Sequence, residues 1–446
     1  VPGWSRAEQL TRHRNNPLRK YDLWRGGFCY DQDPPKFYTA KQDREIQQVD
    51  NSKPFELEKM QAELKEAGLD GWLFYDFRGL DPIAHSILRF APGKMGTRRW
   101  FFFVPAEGEP SKLVHAIEAA ALDHLPGSKI VYGTRQSLDA ALEETLSGSS
   151  RVAMNYATDN PYVSRVDAGT VEKVRSKGVE VVTSGELIQI FESVLSPEQL
   201  ESHRRAGAHI RGVVDEVFAL VGDTLRAGRT ITERDICDYA NKSIREGGFE
   251  NDHDPIVGVN EHAADPHFEV PAENSAEVRP GDLLLFDVWA KETKPGSIYA
   301  DITWCAFIGS EPPAEMLKVF SVVRDSRKAA CERAHEAFSS GEEIRGCDLD
   351  RVTRGVITDA GYGEYFVHRT GHSLHECIHG NGAHLDDFET YDDRKLIPGT
   401  LFTVEPGIYM PEKRIGIRSE VDVYHTGQGA EVTGPPHQEE LVRIEI

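Results

Sequence analysis

The sequence predicts an α+β protein with two folded domains behind a polar N-terminal extension, and three observations carry that expectation. At 446 residues the chain is longer than one hydrophobic core usually serves. Between about residues 54 and 190, short apolar runs alternate with helical periodicity, as in a compact α/β unit. Beyond residue 196 the order is two helices, a strand region (255–309), two more helices (313–338 and 348–360), then strands again (364–446). Helix pair then strands, twice over, hints at an internal pseudo-repeat, although no sequence self-similarity is visible. The expected boundaries are an extension over 1–50, a first domain over 51–192 and a second over 193–446.

Residues 1–50 are polar and lack apolar periodicity, which predicts an irregular or partly ordered extension. Leu57, Met60, Leu64 and Ala67 then recur at helical spacing, Gly68 stops that helix, and GWLFY follows as a buried strand. RRWFFFVP, SKIVYG, RVAMNY and GVEVVT supply further short strands around the helical SLDAALEETL, and no phosphate-cradling glycine loop interrupts them. A long helix opens with Ser196 as N-cap and Pro197 at its first position, with Leu200, Ile210, Val214 and Val217 on its apolar face.

Composition excludes some functions. With 73 acidic and 51 basic side chains the formal charge is -22, which repels nucleic acid phosphates and anionic membrane surfaces, so neither is an expected partner. The six cysteines show neither close pairing nor CxxC spacing, which predicts free thiols in a reducing, cytoplasmic setting. No apolar run approaches a membrane span, and the opening VPGWSRAEQLTRHR lacks the apolar segment of a secretory signal; without an initiating Met, a segment removed upstream remains open.

The chemistry starts with misplaced acids. GDLLLFDVWA and YADITWCAFIG read as a hairpin joined by the turn-rich ETKPGS, and each apolar run contains one aspartate, Asp287 and Asp301. LFTVEPGIY and IGIRSEVDVYHT repeat the anomaly with Glu405 and Glu420. Four carboxylates brought together would repel one another unless cations neutralise them, and two divalent ions match their charge. The stretch HRTGHSLHECIHGNG (368–382) adds a dense set of imidazoles, one of which would complete an oxygen-rich ligand set suited to Mn, Co, Fe or Zn. Such a set favours a two-metal hydrolytic centre.

Asp, Asp, His, Glu and Glu in this order, with TVEPGIY and GIRSE around the glutamates, resemble the creatinase/aminopeptidase P/prolidase family of pita-bread metallopeptidases. The likeness covers roughly 195–446 well, and it is weaker over 54–190, where it implies a creatinase-like N-terminal α/β domain. It implies metal binding by Asp287, Asp301, His372, Glu405 and Glu420, with manganese the first expectation. His368 and His379 would line the substrate pocket and stabilise the oxyanion. His267, in AADPHFEV, would face the substrate ahead of its neighbours His253 and His262, and Arg418 would organise the site through carboxylate contacts. His375 stands where relatives often have glycine, and His384 and Cys377 read as structural. The implied reaction is attack of an activated water on the carbonyl between an N-terminal residue and proline, with Glu405 taking and returning the proton. The implied partner is a peptide with proline in second position, and the implied assembly a homodimer.

Proline dipeptidases carry an arginine shortly before the EPG strand. TYDDRKLIPGTLFTVEPG has Asp392 and Asp393 there, with Arg394 beside them. This favours an Xaa-Pro aminopeptidase acting on longer peptides over an Xaa-Pro dipeptidase. A non-peptidase enzyme on the same fold, such as a creatinase-like amidinohydrolase, and a metal-free binding module are the remaining readings; retention of every ligand position argues against the last.

Overall fold

The computed structural model describes residues 54–446, apart from 92, 94 and 95. The expected extension over 1–50 lies outside the described residues. Leu57–Glu66 (α1) buries Met60 and Leu64, and Ala67, expected on the apolar stripe, is instead its exposed C-cap. Gly68 follows at φ +63°, a left-handed conformation that favours glycine. The chain then builds β1 (Gly71–Asp76), α2 (Pro82–Ile87), β2 (Trp100–Pro105), β3 (Ser111–His115), β4 (Ser128–Tyr132), α3 (Arg135–Thr145), β5 (Arg151–Met154), α4 (Ala168–Arg175), β6 (Glu180–Thr183) and α5 (Gly185–Glu192). The strands form one sheet in the order β4-β3-β2-β1-β5-β6, with β2 antiparallel to both its neighbours and the other pairs parallel. Alternate residues of the central strands feed separate cores: Trp72 and Phe74 join α1 and α2 on one face, while Leu73 and Tyr75 join α3 and α4 on the other.

The second section opens with α6 (Pro197–Arg226), whose N-terminus is closed by a reciprocal Ser196–Gln199 capping box. Leu200, Ile210, Val214 and Val217 are all buried, as their spacing predicts. After α7 (Glu233–Glu246) come β7 (Phe249–Glu250), β8 (Ile256–Val259), β9 (Leu283–Glu292) and β10 (Ala300–Ile308). The expected hairpin is present, with β9 and β10 antiparallel and Thr303 opposite Asp287. Period-2 alternation separates their faces. Leu284, Phe286, Val288, Ile302 and Trp304 pack under α6 and α7, whereas Asp287, Asp301 and Thr303 point to the opposite side, shared with Leu285 and Cys305.

That opposite side is covered by α8 (Ala314–Ser340), α9 (Gly346–Asp359) and the strands β11 (Leu401–Val404), β12 (Gly407–Met410), β13 (Ile415–Arg418) and β14 (Val421–His425), with β15 (Ala430–Val432) and β16 (Val442–Ile444) on sheet edges. One expectation needs correction here. Glu405 and Glu420 do not lie inside strands, and Arg418 and Glu420 do not share one. Pro406 lacks an N–H, so the long hairpin splits into two ladders, β11–β14 and β12–β13, and both glutamates occupy the break. The Ser419 amide closes it on the Pro406 carbonyl at 3.2 Å.

The histidine-rich segment runs beside β11. Gly371 is required, because a Cβ there would sit 2.0 Å from the Thr403 carbonyl oxygen. Behind it, the fully buried Asp350 of α9 accepts from Thr370 N (3.0 Å) and Oγ1 (2.7 Å) and pairs with Arg354. Replacing Asp350 by Ala should leave Arg354 and the Thr370 amide without their acceptor and cost about 3–5 kcal/mol in denaturant unfolding. A loss below about 1 kcal/mol would show that the anchor is dispensable.

Candidate metal centre

Five carboxylates and several imidazoles meet where the strand break faces β10. The ligand atoms of Asp301, His372 and Glu420 all lie within 4.8 Å of one another. Glu405 joins them, its Oε1 lying 3.4 Å from His372 Nε2, while Asp301 Oδ2 is 3.7 Å from the same nitrogen. His372 Nδ1 donates to the Ser373 carbonyl (3.3 Å), which turns the Nε2 lone pair toward the acids. Its backbone N–H donates to Thr403 Oγ1 at 3.0 Å, and that hydroxyl donates to Glu405 Oε1 at 3.2 Å.

Asp287 is held from the other side. Arg418 donates to its Oδ2 at 2.5 Å, to Thr303 Oγ1 at 3.1 Å and to Tyr409 OH at 3.0 Å. Thr303 passes its own proton to Glu420 Oε2 at 2.7 Å, so Arg418 is coupled to two of the acids. A fifth buried acid, Asp422, accepts from the Asp301 amide at 3.0 Å.

The electrostatics state what this cluster lacks. Burial, then the negative charges of Glu420 and Asp287, raises the Asp301 carboxyl well above the usual range. Burial, then Glu405, does the same for Glu420. Burial pushes Glu405 up to about 7 against the opposing pull of Arg418. Meanwhile Oδ1 of Asp287 and Oδ1 of Asp301 are buried with no hydrogen-bond partner. Unmatched acceptors beside a neutral imidazole, in a cluster carrying more negative than positive charge, fit divalent cations. His372 itself is kept neutral by burial and then by the nearby His379 ring, leaving its lone pair free to coordinate.

The remaining histidines divide by position. His379 stacks edge-on against His372 with ring centroids 4.5 Å apart, at the open side of the cleft, and burial of its surroundings followed by the Arg369 charge pulls it down to about 4. His368 has both nitrogens engaged: Nδ1 donates to the Arg369 carbonyl (2.7 Å), and Nε2 accepts from Tyr409 OH (2.8 Å). Its expected contact with substrate therefore passes through Tyr409. His267 is exposed on a loop whose Pro266 carbonyl accepts from Arg418 (3.2 Å). Its competitor His262 is committed to the buried Glu233 carboxylate at 2.8 Å. His375 exchanges backbone hydrogen bonds with Cys377 and Tyr299, and His384 Nδ1 accepts from the Ser373 amide at 3.1 Å.

Two findings correct or extend the sequence reading around the cleft. Asp392 does not face an incoming carboxylate. It is fully buried, paired with Arg394 at 2.6 Å and bonded to the His384 amide at 2.9 Å. A charge matched this closely projects little field into the cleft. The missed residue is Arg369, next to His368. Its charge disfavours protonation of His372 and His379 and favours the ionised form of Glu405, and its guanidinium reaches the Tyr162 hydroxyl from the first section of the chain. Thr303, Thr403 and Tyr409 were missed too, although Thr403 stands only two residues before Glu405, close enough for its hydroxyl to reach that carboxylate.

Comparison with known proteins agrees with this geometry. A family model described as metallopeptidase family M24 matches residues 201–427. A probable dipeptidase PepE of Mycobacterium tuberculosis is 29% identical over 341 residues, covering 75% of this chain and 83% of that protein. An Xaa-Pro dipeptidase of Lactobacillus helveticus is 33% identical over 219 residues, 48% of this chain and 53% of its own length. The crystal structure of dipeptidase PepE from Mycobacterium ulcerans superposes with a TM-score of 0.63 at 23% identity, covering 87% of this chain and 97% of that one, which shows the pita-bread fold. Buried acids facing one neutral imidazole across a broken hairpin are thus set in a chain that belongs to metallopeptidase family M24.

Proposed function

We propose that this chain is an Xaa-Pro peptidase with two divalent cations, manganese before cobalt, iron or zinc, held by Asp287, Asp301, His372, Glu405 and Glu420. The observation that carries the proposal is the pair of orphaned Oδ1 atoms on Asp287 and Asp301 within a cluster of mutually repelling buried acids. When bound, the cations supply Lewis acidity and make water a nucleophile at neutral pH. Glu405, close to neutrality in its proton affinity, accepts a proton and returns it to the leaving nitrogen, a step the tertiary amide before proline needs. His379 at the mouth donates toward the developing oxyanion, while the one proton of the Tyr409 hydroxyl is held by His368 Nε2, so that Tyr409, His368 and Arg418 form a fixed wall beside it. His267, exposed on its loop beside the Arg418-bound Pro266 carbonyl, faces the substrate.

The substrate's length is decided by which charge meets its C-terminal side. The aminopeptidase expectation rested on Asp392 and Asp393, and Asp392 is neutralised by Arg394. Arg369 instead makes no ion pair among the described residues and lies beside the catalytic histidines, which supports recognition of a free carboxylate and hence Xaa-Pro dipeptides. The names of the similar PepE and Xaa-Pro dipeptidase proteins point the same way.

Three outcomes follow. Metal removal should expose the repulsion: carboxyls raised in the folded state stabilise it only while protonated, so their contribution is lost as pH rises through the raised values. Chelator-treated protein should therefore lose stability, relative to the metal-loaded protein, as pH rises from the ordinary glutamate value of about 4.5 to the value of about 7 at Glu405, by up to about 1.4 kcal/mol per pH unit for each carboxyl that ionises. Thermal melts in which the gap between the two forms does not change with pH would refute the cation-balanced cluster. Among the histidines, His372→Ala should lose bound metal, whereas His379→Ala should keep near two equivalents and lose about 100-fold or more in kcat. Equal metal loss in both would reject the division of roles. Lastly, Arg369→Met should lower kcat/KM for Ala-Pro at least about tenfold more than for Ala-Pro-amide, which shares only the loss that comes through Glu405 and His379. Equal losses on both substrates would return the assignment to an aminopeptidase.

A further inference from the structure

Away from the metal centre, the first sheet carries a cavity of about 900 Å3. It opens at the C-terminal ends of β1, β3 and β4, the edge of an α/β sheet where loops converge to bind ligands. Arg78, Arg98, Arg99 and Arg135 line it, and none of the four makes an ion pair among the described residues. The single acid in the lining, Asp167, is committed to capping α4, accepting from Thr170 N (2.9 Å) and Oγ1 (2.8 Å). The N-terminus of α3 is likewise satisfied by Thr134, so the uncompensated charge comes from side chains and not from helix ends. Four unpaired guanidinium groups in one concavity oppose the sign of a chain whose net charge is -22, and most arginines elsewhere, such as Arg204, Arg205 and Arg234, are paired with acids.

The walls add shape. Arg99 is half-buried, its carbonyl fixed by the Tyr132 hydroxyl at 2.6 Å, and its charge acts on Tyr75 and Asp167. Leu80 is 51% exposed at the rim beside Phe77, an apolar surface next to the charged one. The volume exceeds what an inorganic anion fills and lies within the range of small-molecule sites. Guanidinium forks match phosphate oxygens in geometry and charge. From these features we infer that the cavity binds a phosphorylated small organic molecule, its phosphate on the arginines and its organic part on Phe77 and Leu80. It does so without the glycine-rich loop that the sequence lacks, and the inference is independent of the peptidase assignment.

The test is calorimetric titration of the metal-loaded full chain with ADP, AMP, pyrophosphate and inorganic phosphate at matched ionic strength. Saturable binding of ADP, at least tenfold tighter than inorganic phosphate, is expected. Arg99→Met/Arg135→Met should weaken ADP at least tenfold while Ala-Pro hydrolysis is unchanged. Should that pair disturb folding, Arg78→Met/Arg135→Met, at two exposed positions, should show the same loss. The His372→Ala protein, depleted of metal, should still bind ADP. Binding that vanishes with the metal and survives both arginine pairs would place the anion at the metal centre and overturn the inference. Inorganic phosphate binding as tightly as ADP, or no saturable binding at all, would overturn it as well.

Discussion

Repulsion among buried carboxylates is the constraint on which the catalytic half of this protein is built. Asp287, Asp301, Glu405, Glu420 and Asp422 occupy one small region, and burial first, then the charge of neighbouring acids, raises four of them toward neutrality. One guanidinium, Arg418, is fully buried among them. It cannot offset five acids, so the remaining charge must be met by protons or by cations. A chain that needed only stability would have placed apolar side chains here, as it did one residue away on either side of each aspartate. Acids that cost stability yet sit in well-ordered strands mark a site selected for what they bind.

The backbone solves a geometric difficulty that the charges create. A continuous four-residue-per-side ladder would send successive side chains to alternate faces and hold both glutamates in the sheet plane's regular spacing. Pro406 ends the ladder, and the hairpin resumes as a second one, with the break docked on β10 through Thr303 and Glu420. Hydroxyls then distribute the load. Thr303 relays Arg418 to Glu420, Thr403 links the His372 amide to Glu405, and Tyr409 stands between Arg418 and His368. Each is a neutral group that both accepts and donates, which a buried network of acids and one imidazole requires if its polar atoms are to be matched; Oδ1 of Asp287, Asp301 and Asp422 stay without a hydrogen-bond partner.

Much of this arrangement was legible in the sequence because it violates local rules. Aspartate in an apolar strand is visible as an anomaly, and β9 and β10 have the expected hairpin with Asp287 and Asp301 on one face. The long helix at Pro197 follows from its cap and its stripe. Other features carried no such signal. Glu405 looked like a strand residue because the break at Pro406 depends on which strand lies opposite. The pairing of Asp392 with Arg394 hides in a sequence that reads simply as acidic, since adjacent opposite charges on a loop can either face solvent or fold onto each other. Arg369 is one basic residue among many until the fold sets Tyr162 beside it.

That last contact shows how the two sections of the chain bear on one reaction. Gln189 of α5 donates to the Lys395 carbonyl at 3.0 Å, Glu192 accepts from Asn381, and Tyr162 meets both Arg369 and the His384 ring. All of these catalytic-side partners belong to the loops that carry or brace His372 and His379. The first section of the chain therefore does more than accompany the metal centre: it braces the segment that carries His372 and His379 and sets Tyr162 against Arg369. Its influence is steric and electrostatic at once, because the Tyr162 hydroxyl restrains Arg369 without neutralising it. A carboxylate in place of Tyr162 would tie the guanidinium into an ion pair and remove its charge from the cleft. A neutral partner positions the cation and leaves its field available to the histidines and the glutamate beside it.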